Sequence, residues 1–220
     1  VAAHFEEVVW PAVQDAPDGC YLSLSLTLQK EVDAAISALP WEFLYLSLDR
    51  TRTFLATDRR VAFSRRPEGD GPPEDGPLAA GDAIRVMLAV LQPQGMGNVA
   101  SARIQNTLNE WAETDQRLLP PVVLTNPSPQ TVEQKMEAYQ PHILHILAHG
   151  RFEDRGTYFA LVDGAGQAVR WYRDRSFADL FQIHRPRLVL LQACEGGRSS
   201  DISTFAQGAA RLAGHRIPAV

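Results

Sequence analysis

Hydrophobic and polar positions alternate strictly through residues 18–29, DGCYLSLSLTLQ. Leu22, Leu24, Leu26 and Leu28 interleave with Ser23, Ser25, Thr27 and Gln29. A period of two predicts a strand with one buried face. EVDAAISA follows as a short helical candidate. Pro40 then opens LPWEFLYL at a position that a first helical turn tolerates. TFLAT and RVAFSRR, separated by Asp58 and Arg59, read as two strands paired with each other. Residues 67–81, PEGDGPPEDGPLAAG, are rich in proline and glycine and offer almost nothing to bury. They predict a flexible linker dividing the chain into segments 1–66 and 82–220.

Beyond the linker the texture changes. IRVMLAVLQP (84–93) is a continuous apolar run closed by proline, and SARIQNTLNEWAE (101–113) carries Ile104, Leu108 and Trp111 at helical spacing. VVLTN (122–126) reads as a strand. Residues 128–140 read as a helix, with Ser128 or Thr131 as possible caps. HILHILA (142–148) is a further strand, FALVDGAG a turn region, residues 176–182 a polar helix, RLVLLQA (187–193) a strand, and TFAQGAARLAG (204–214) a helix. Strands apolar on both faces that alternate with helices imply a mostly parallel sheet covered on both sides.

Composition narrows the function classes. Of 220 residues, 45% are hydrophobic and 21% charged, which suits a globular domain with a sizeable core. A net charge of −5 argues against direct nucleic-acid binding, which needs a basic face. No apolar run reaches the roughly 20 residues of a membrane span. The start, VAAHFEE, lacks a signal-peptide pattern and an initiator methionine, so a fragment of a longer cytoplasmic protein is expected. Two cysteines, Cys20 and Cys194, fit free thiols in a reducing compartment.

HILHILAHG (142–150) places three histidines in eight positions of an apolar run. On a helix His145 and His149 could share a zinc ion. In a strand, residues four apart stand about 13 Å from each other and cannot. The strand reading therefore implies no metal, and no cofactor is expected. His149 falls at the carboxyl end of its strand before Gly150, and Cys194 ends RLVLLQA before Glu195, Gly196 and Gly197. Function in open parallel sheets collects outside the carboxyl ends of the strands. If these two are neighbours, a thiol and an imidazole meet in one cleft, the pairing a thiol nucleophile needs. Backbone amides of Gly150 and Cys194 could then stabilise an oxyanion. Singly, each residue reads as packing: a small apolar thiol and a hydrogen-bonding imidazole. His142 and His145 are read as structural, and His4, His184 and His215 as loop or surface residues.

LVLLQACEGG (188–197) resembles the Q-A-C-x-G nucleophile region of caspases, with His149 lying 45 residues upstream where about 50 is usual. With LPWEFLYL (39–46) and HILAHGRF (145–152), in that order, the chain resembles the CHAT domain, a caspase-like cysteine peptidase module of clan CD. The resemblance implies an α/β fold, a caspase-like three-layer sandwich with a mostly parallel central sheet. It is preceded by a small α+β N-terminal region (1–66), and the peptidase domain occupies 82–220. It implies His149 as general base and acid, Cys194 as nucleophile and the Gly150 and Cys194 amides as oxyanion hole. It also implies a protein substrate, regulatory or sensor parts outside this chain, and a role in bacterial immunity or cell death. The family normally continues past a segment like HRIPAV, so the C-terminal part of the fold is expected to be missing or supplied by a second chain. Gln192 stands two residues before the nucleophile, as in caspases that prefer Asp, and Asp163 could serve a basic side chain. These two are the candidate substrate-binding residues. The alternative is a silent scaffold that binds partner proteins.

Overall fold

The computed structural model describes residues 5–15, 17, 22–28, 41, 44–48, 51–54, 57–58, 60–67, 78–79, 81–153, 156–163, 168–180 and 184–194. The helices expected in EVDAAISA and at 204–214, and Pro40, Glu195, Gly196 and Gly197, lie outside the described residues. The chain divides into two compact units, Val1–Gly69 and Asp70–Val220.

In the first unit a π-helical turn, Phe5–Val9, runs into α1 (Trp10–Gln14). Strand β1 (Leu22–Leu28) pairs in parallel with β4 (Val61–Pro67), and β2 (Tyr45–Leu48) pairs antiparallel with β3 (Thr51–Phe54). The period of two in β1 is realised. Leu22 and Leu24 pack with Trp10, Val13, Val61 and Phe63, while Ser23 and Ser25 are exposed. Two expectations are corrected. Tyr45 and Leu46, which end LPWEFLYL, are strand rather than helix, because Tyr45 has a cross-strand partner: its ring centroid stands 5.1 Å from that of Phe54. TFLAT and RVAFSRR do not pair with each other. Each finds a partner elsewhere, RVAFSRR because Val61 and Phe63 match the apolar face of β1 at Leu22 and Leu24.

The second unit is built on one six-stranded sheet. Its elements are β5 (Val86–Leu91), α2 (Ala102–Thr114), β6 (Val122–Thr125), α3 (Pro129–Tyr139), β7 (Ile143–Glu153), β8 (Gly156–Val162), β9 (Val169–Arg173), α4 (Asp174–Asp179) and β10 (Leu188–Cys194). The sheet runs β6-β5-β7-β8-β9, with β10 also on β7. β5 is parallel to β6 and β7, β10 is parallel to β7, and β8 and β9 add antiparallel strands. All six residues of β5 are buried, so both faces of the sheet are covered there. Met87, Ala89, Leu144, Ile146 and Val189 face Val132 and Met136 of α3 and Phe177 of α4. Val86, Leu88, Val90 and Leu147 face Leu108 and Ile104 of α2. Helix, sheet and helix therefore form three layers.

The local signals act as read at several places. Ser128 caps α3, accepting from the Thr131 N–H at 3.2 Å, and Gln140 ends that helix in a left-handed conformation before Pro141. Elsewhere the structure departs from the pattern. Trp111, the third member of the α2 stripe, is 57% exposed, so the buried stripe ends at Leu108. FALV within FALVDGAG is the end of β8 rather than a turn, since residues 159–162 are buried on both faces of the sheet. Just past Val162 the Asp163 N–H donates to the Ala168 carbonyl at 3.0 Å.

At the amino end of the parallel strands, His142 is held neutral. Its Nδ1 accepts the Arg85 backbone N–H at 3.1 Å, while Arg85 Nη2 stands 3.2 Å from Nε2. Burial first, then the charges of Arg85, Arg187 and His184, hold its pKa below the ordinary 6.5, against a small opposing effect of Asp82. Between the depressed folded pKa and 6.5 the unfolded chain binds more protons, so this contribution to stability is present above about pH 6.5 and is lost as pH falls through the folded value. The melting temperature should therefore fall on acidification from pH 7, and His142→Asn, which keeps an acceptor for Arg85, should flatten that slope in a pH series of thermal melts. A second expectation concerns the core. Phe159 is fully buried with its ring 4.5 Å from that of Phe177, and Phe159→Ala should cost about 3–5 kcal/mol, read as a lower urea midpoint at unchanged slope.

Candidate active site

The parallel ladders of β5 and β10 on β7 end at nearly one level. In the ladder Leu91 of β5 pairs with Ala148 of β7, and Cys194 of β10 pairs with His149 of β7. His149 and Cys194 are thus cross-strand partners, on backbones about 4.8 Å apart, the spacing of a β-ladder. The parallel pairing is supported by apolar residues on both strands, Leu144, Ile146 and Ala148 on one and Val189 on the other, which are buried in one cluster with Leu191 packed against it. The strand does not stop at His149, as its sequence suggests. It continues to Glu153 and changes partner at Gly150, which opens the antiparallel ladder opposite Phe159. His149 is the last residue of β7 in the parallel ladder. That keeps it at the rim even though the strand passes through.

The His149 ring is half-buried, and its Nε2 stands 2.7 Å from the carbonyl oxygen of Gly97. A carbonyl only accepts, so Nε2 donates and carries the proton. In the neutral ring the lone pair is then on Nδ1. Gly97 was not singled out in the sequence, because its contribution is a backbone oxygen that any residue possesses. The one local signal was the glycine-containing loop at the carboxyl end of an apolar strand, the place where such sheets collect function.

The other candidates divide. Gln192 is exposed, in register with Leu147, and its side chain bonds to His145. Burial holds the His145 pKa below the ordinary value, and the bond from Gln192 opposes this only in part. His145, read as structural, therefore shares Gln192, read as substrate-binding. Asp163 follows the end of β8, a strand running antiparallel to β7. It lies four residues past the partner of Gly150, about 14 Å along the strand, on the side away from the rim. The structure does not bring Asp163 to His149 and Cys194. Arg151, two residues after His149 and so on the same face of β7, lies 4.3 Å from the Trp171 ring and 5.3 Å from that of Tyr158. Its Nε is 3.1 Å from Glu153 Oε1, an ion pair outside hydrogen-bond alignment. His184, expected at the surface or in a loop, bonds through Nε2 to the Pro141 carbonyl at 3.0 Å, at the opposite end of the sheet.

A paired imidazole and cysteine at the carboxyl rim of such a sheet is the arrangement that the sequence resemblance implied. The family model for the CHAT domain matches residues 10–216, nearly the whole chain. The chain belongs to the CHAT family. CHAT domains are caspase-like and related to clan CD, and the mixed α/β architecture of this one agrees with that fold. No curated protein matches the chain. No helix among the described residues of this CHAT domain is long and apolar enough to cross a membrane.

The two glycines of the loop bearing the Gly97 carbonyl should respond differently to substitution. Gly95 has φ +83°, and Gly95→Ala should cost about 1 kcal/mol in chemical denaturation. A Cβ at Gly97 would meet only His149 Cε1 at 4.0 Å, an ordinary contact, and Gly97→Ala should leave stability within about 0.5 kcal/mol of the parent.

Proposed function

We propose that this CHAT domain is a cysteine endopeptidase in which Cys194 is the nucleophile and His149 the general base and acid. The register that makes the two residues cross-strand partners is the observation that supports this most. In-register partners share one face of a pleated sheet. The Gly97 carbonyl adds to it, because an imidazole with its proton fixed on Nε2 leaves Nδ1 free to take one from a thiol.

The reaction balances with these groups alone. The Cys194 sulfur attacks the scissile carbonyl carbon as its proton passes to His149 Nδ1. The carbonyl oxygen becomes an oxyanion, stabilised by backbone N–H groups of Gly150 and Cys194. The imidazolium keeps its Nε2–H on the Gly97 oxygen, which spreads the charge. Collapse breaks the C–N bond, and the leaving amine takes the proton from Nδ1. Water then adds to the thioester, returning its proton through the same nitrogen, and releases a carboxylic acid and the thiol.

The substrate is a protein, and Gln192, two residues before Cys194 on its strand, reads the side chain before the cut. Regulatory or sensor parts beyond this chain would control the activity, in a cytoplasmic immune or cell-death circuit of a bacterium. Incubation of the chain with a peptide library should give cleavage that falls at least about 10³-fold in Cys194→Ala and in His149→Ala. Identical product patterns from parent and Cys194→Ala would mean a partner-binding scaffold instead.

A further inference from the structure

A chain of hydrogen bonds leads from β6 to the carbonyl that anchors His149. Asn126 follows β6 in a left-handed conformation, φ 47°, which Asn tolerates better than most residues. Its own N–H donates to the Val90 carbonyl at 2.8 Å, fixing it beside β5. Its Oδ1 accepts the Gln92 backbone N–H at 2.6 Å, just past the end of β5. The Gln92 side chain then reaches across the loop, and its Oε1 accepts the Val99 N–H at 3.1 Å. The loop so closed contains Gly97, whose carbonyl takes the His149 Nε2–H at 2.7 Å. The Met96 N–H donates to the Pro93 carbonyl at 3.2 Å, tightening the same turn.

We infer that Gln92 and Asn126 are positioning residues that fix the Nε2–H tautomer and the orientation of His149 by clamping the loop that presents the Gly97 carbonyl. The side-chain oxygens of both are taken up in these bonds, so both act on His149 through the loop. The reason is one of stiffness. Gly95 and Gly97 give this exposed loop wide backbone freedom, and inside it, among the described residues, the further backbone bond is the one from Met96 to Pro93 at 3.2 Å. Without the bridge from Gln92 to Val99, the carbonyl would sample positions out of reach of Nε2. The imidazole would then exchange tautomers and could place its proton on Nδ1, the nitrogen that faces the proposed acid–base work. The inference rests on the proposed role of His149 only for its consequence in catalysis. The clamp itself is independent of that role.

The test therefore reads both levels. In the full chain, two-bond nitrogen–proton NMR correlations report which ring nitrogen of His149 carries the proton. The parent should show an Nε2–H tautomer near neutral pH. Gln92→Met, close in size and lacking the acceptor, should show a mixture, and Gln92→Glu, which keeps an acceptor for Val99, should restore the parent signal. Asn126→Gly keeps the left-handed backbone but removes the acceptor for Gln92, and serves if Gln92→Met does not fold. In parallel, alkylation of Cys194 by iodoacetamide across pH should slow about tenfold near neutrality in Gln92→Met, with its half-maximum moved towards that of a free thiol near pH 8.5, and recover in Gln92→Glu. An unchanged tautomer in both Gln92→Met and Asn126→Gly overturns the clamp. A changed tautomer with unchanged alkylation upholds the clamp and removes His149 from the chemistry of Cys194, which counts against the proposed function alone.

Discussion

The pairing of β10 with β7 is the constraint on which the rest of the rim depends. Side chains alternate along a strand, so a slip of one residue would take His149 out of line with Cys194 and move it to the opposite face. What prevents the slip lies well below the rim. Leu144, Ile146 and Val189 are buried against the layer of α3 and α4, while Leu147 is buried on the other face against α2. Offsetting β7 would carry the half-buried His145 into the cluster against α3 and α4, and offsetting β10 would do the same with the exposed Gln192. The rim is thus aligned by apolar contacts several residues away from it, which take no part in any chemistry there.

The three histidines of HILHILAHG show how position along one strand sets the state of a ring. His142, at the amino end, accepts a backbone N–H and faces arginines, so it stays neutral. His145, in the middle, is half-buried and shares a bond with Gln192. His149, at the change from parallel to antiparallel pairing, gives its Nε2 proton to a loop carbonyl. The three side chains are chemically identical, and neighbours fixed by the sheet assign their protons.

Much of this was legible in the sequence, for physical reasons. The strand at 86–91 shows as an apolar run because both faces of the sheet are covered there, those at 143–148 and 188–194 show because Leu144, Ile146 and Val189 enter the core, and Ser128 shows as a cap because a helix start needs an acceptor. Candidates at the rim were legible because His149 and Cys194 each follow such a run. Other features depend on partners distant in sequence. The strand at Tyr45–Leu48 is stabilised by its hairpin partner, and β4 pairs with β1 across more than thirty residues, which no local window contains. The continuation of β7 past Gly150 needs β8, and the placement of Asp163 needs the direction of β8. Gly97 was the least visible, since the atom that matters there is common to every peptide unit.

That peptide oxygen has a consequence for how relatives of this domain would be compared. A catalytic group held by a third side chain leaves a trace, because the third residue must be kept. Here the third partner belongs to the main chain, and selection acts on the path of the loop rather than on the identity of one residue. Aligned sequences would then mark the proposed nucleophile and base, while the third group of the proposed site, the Gly97 oxygen, left no mark at its own position. Residues 93–98 could drift in composition as long as the bonds from Asn126 through Gln92 to Val99 still turned one peptide oxygen towards the ring.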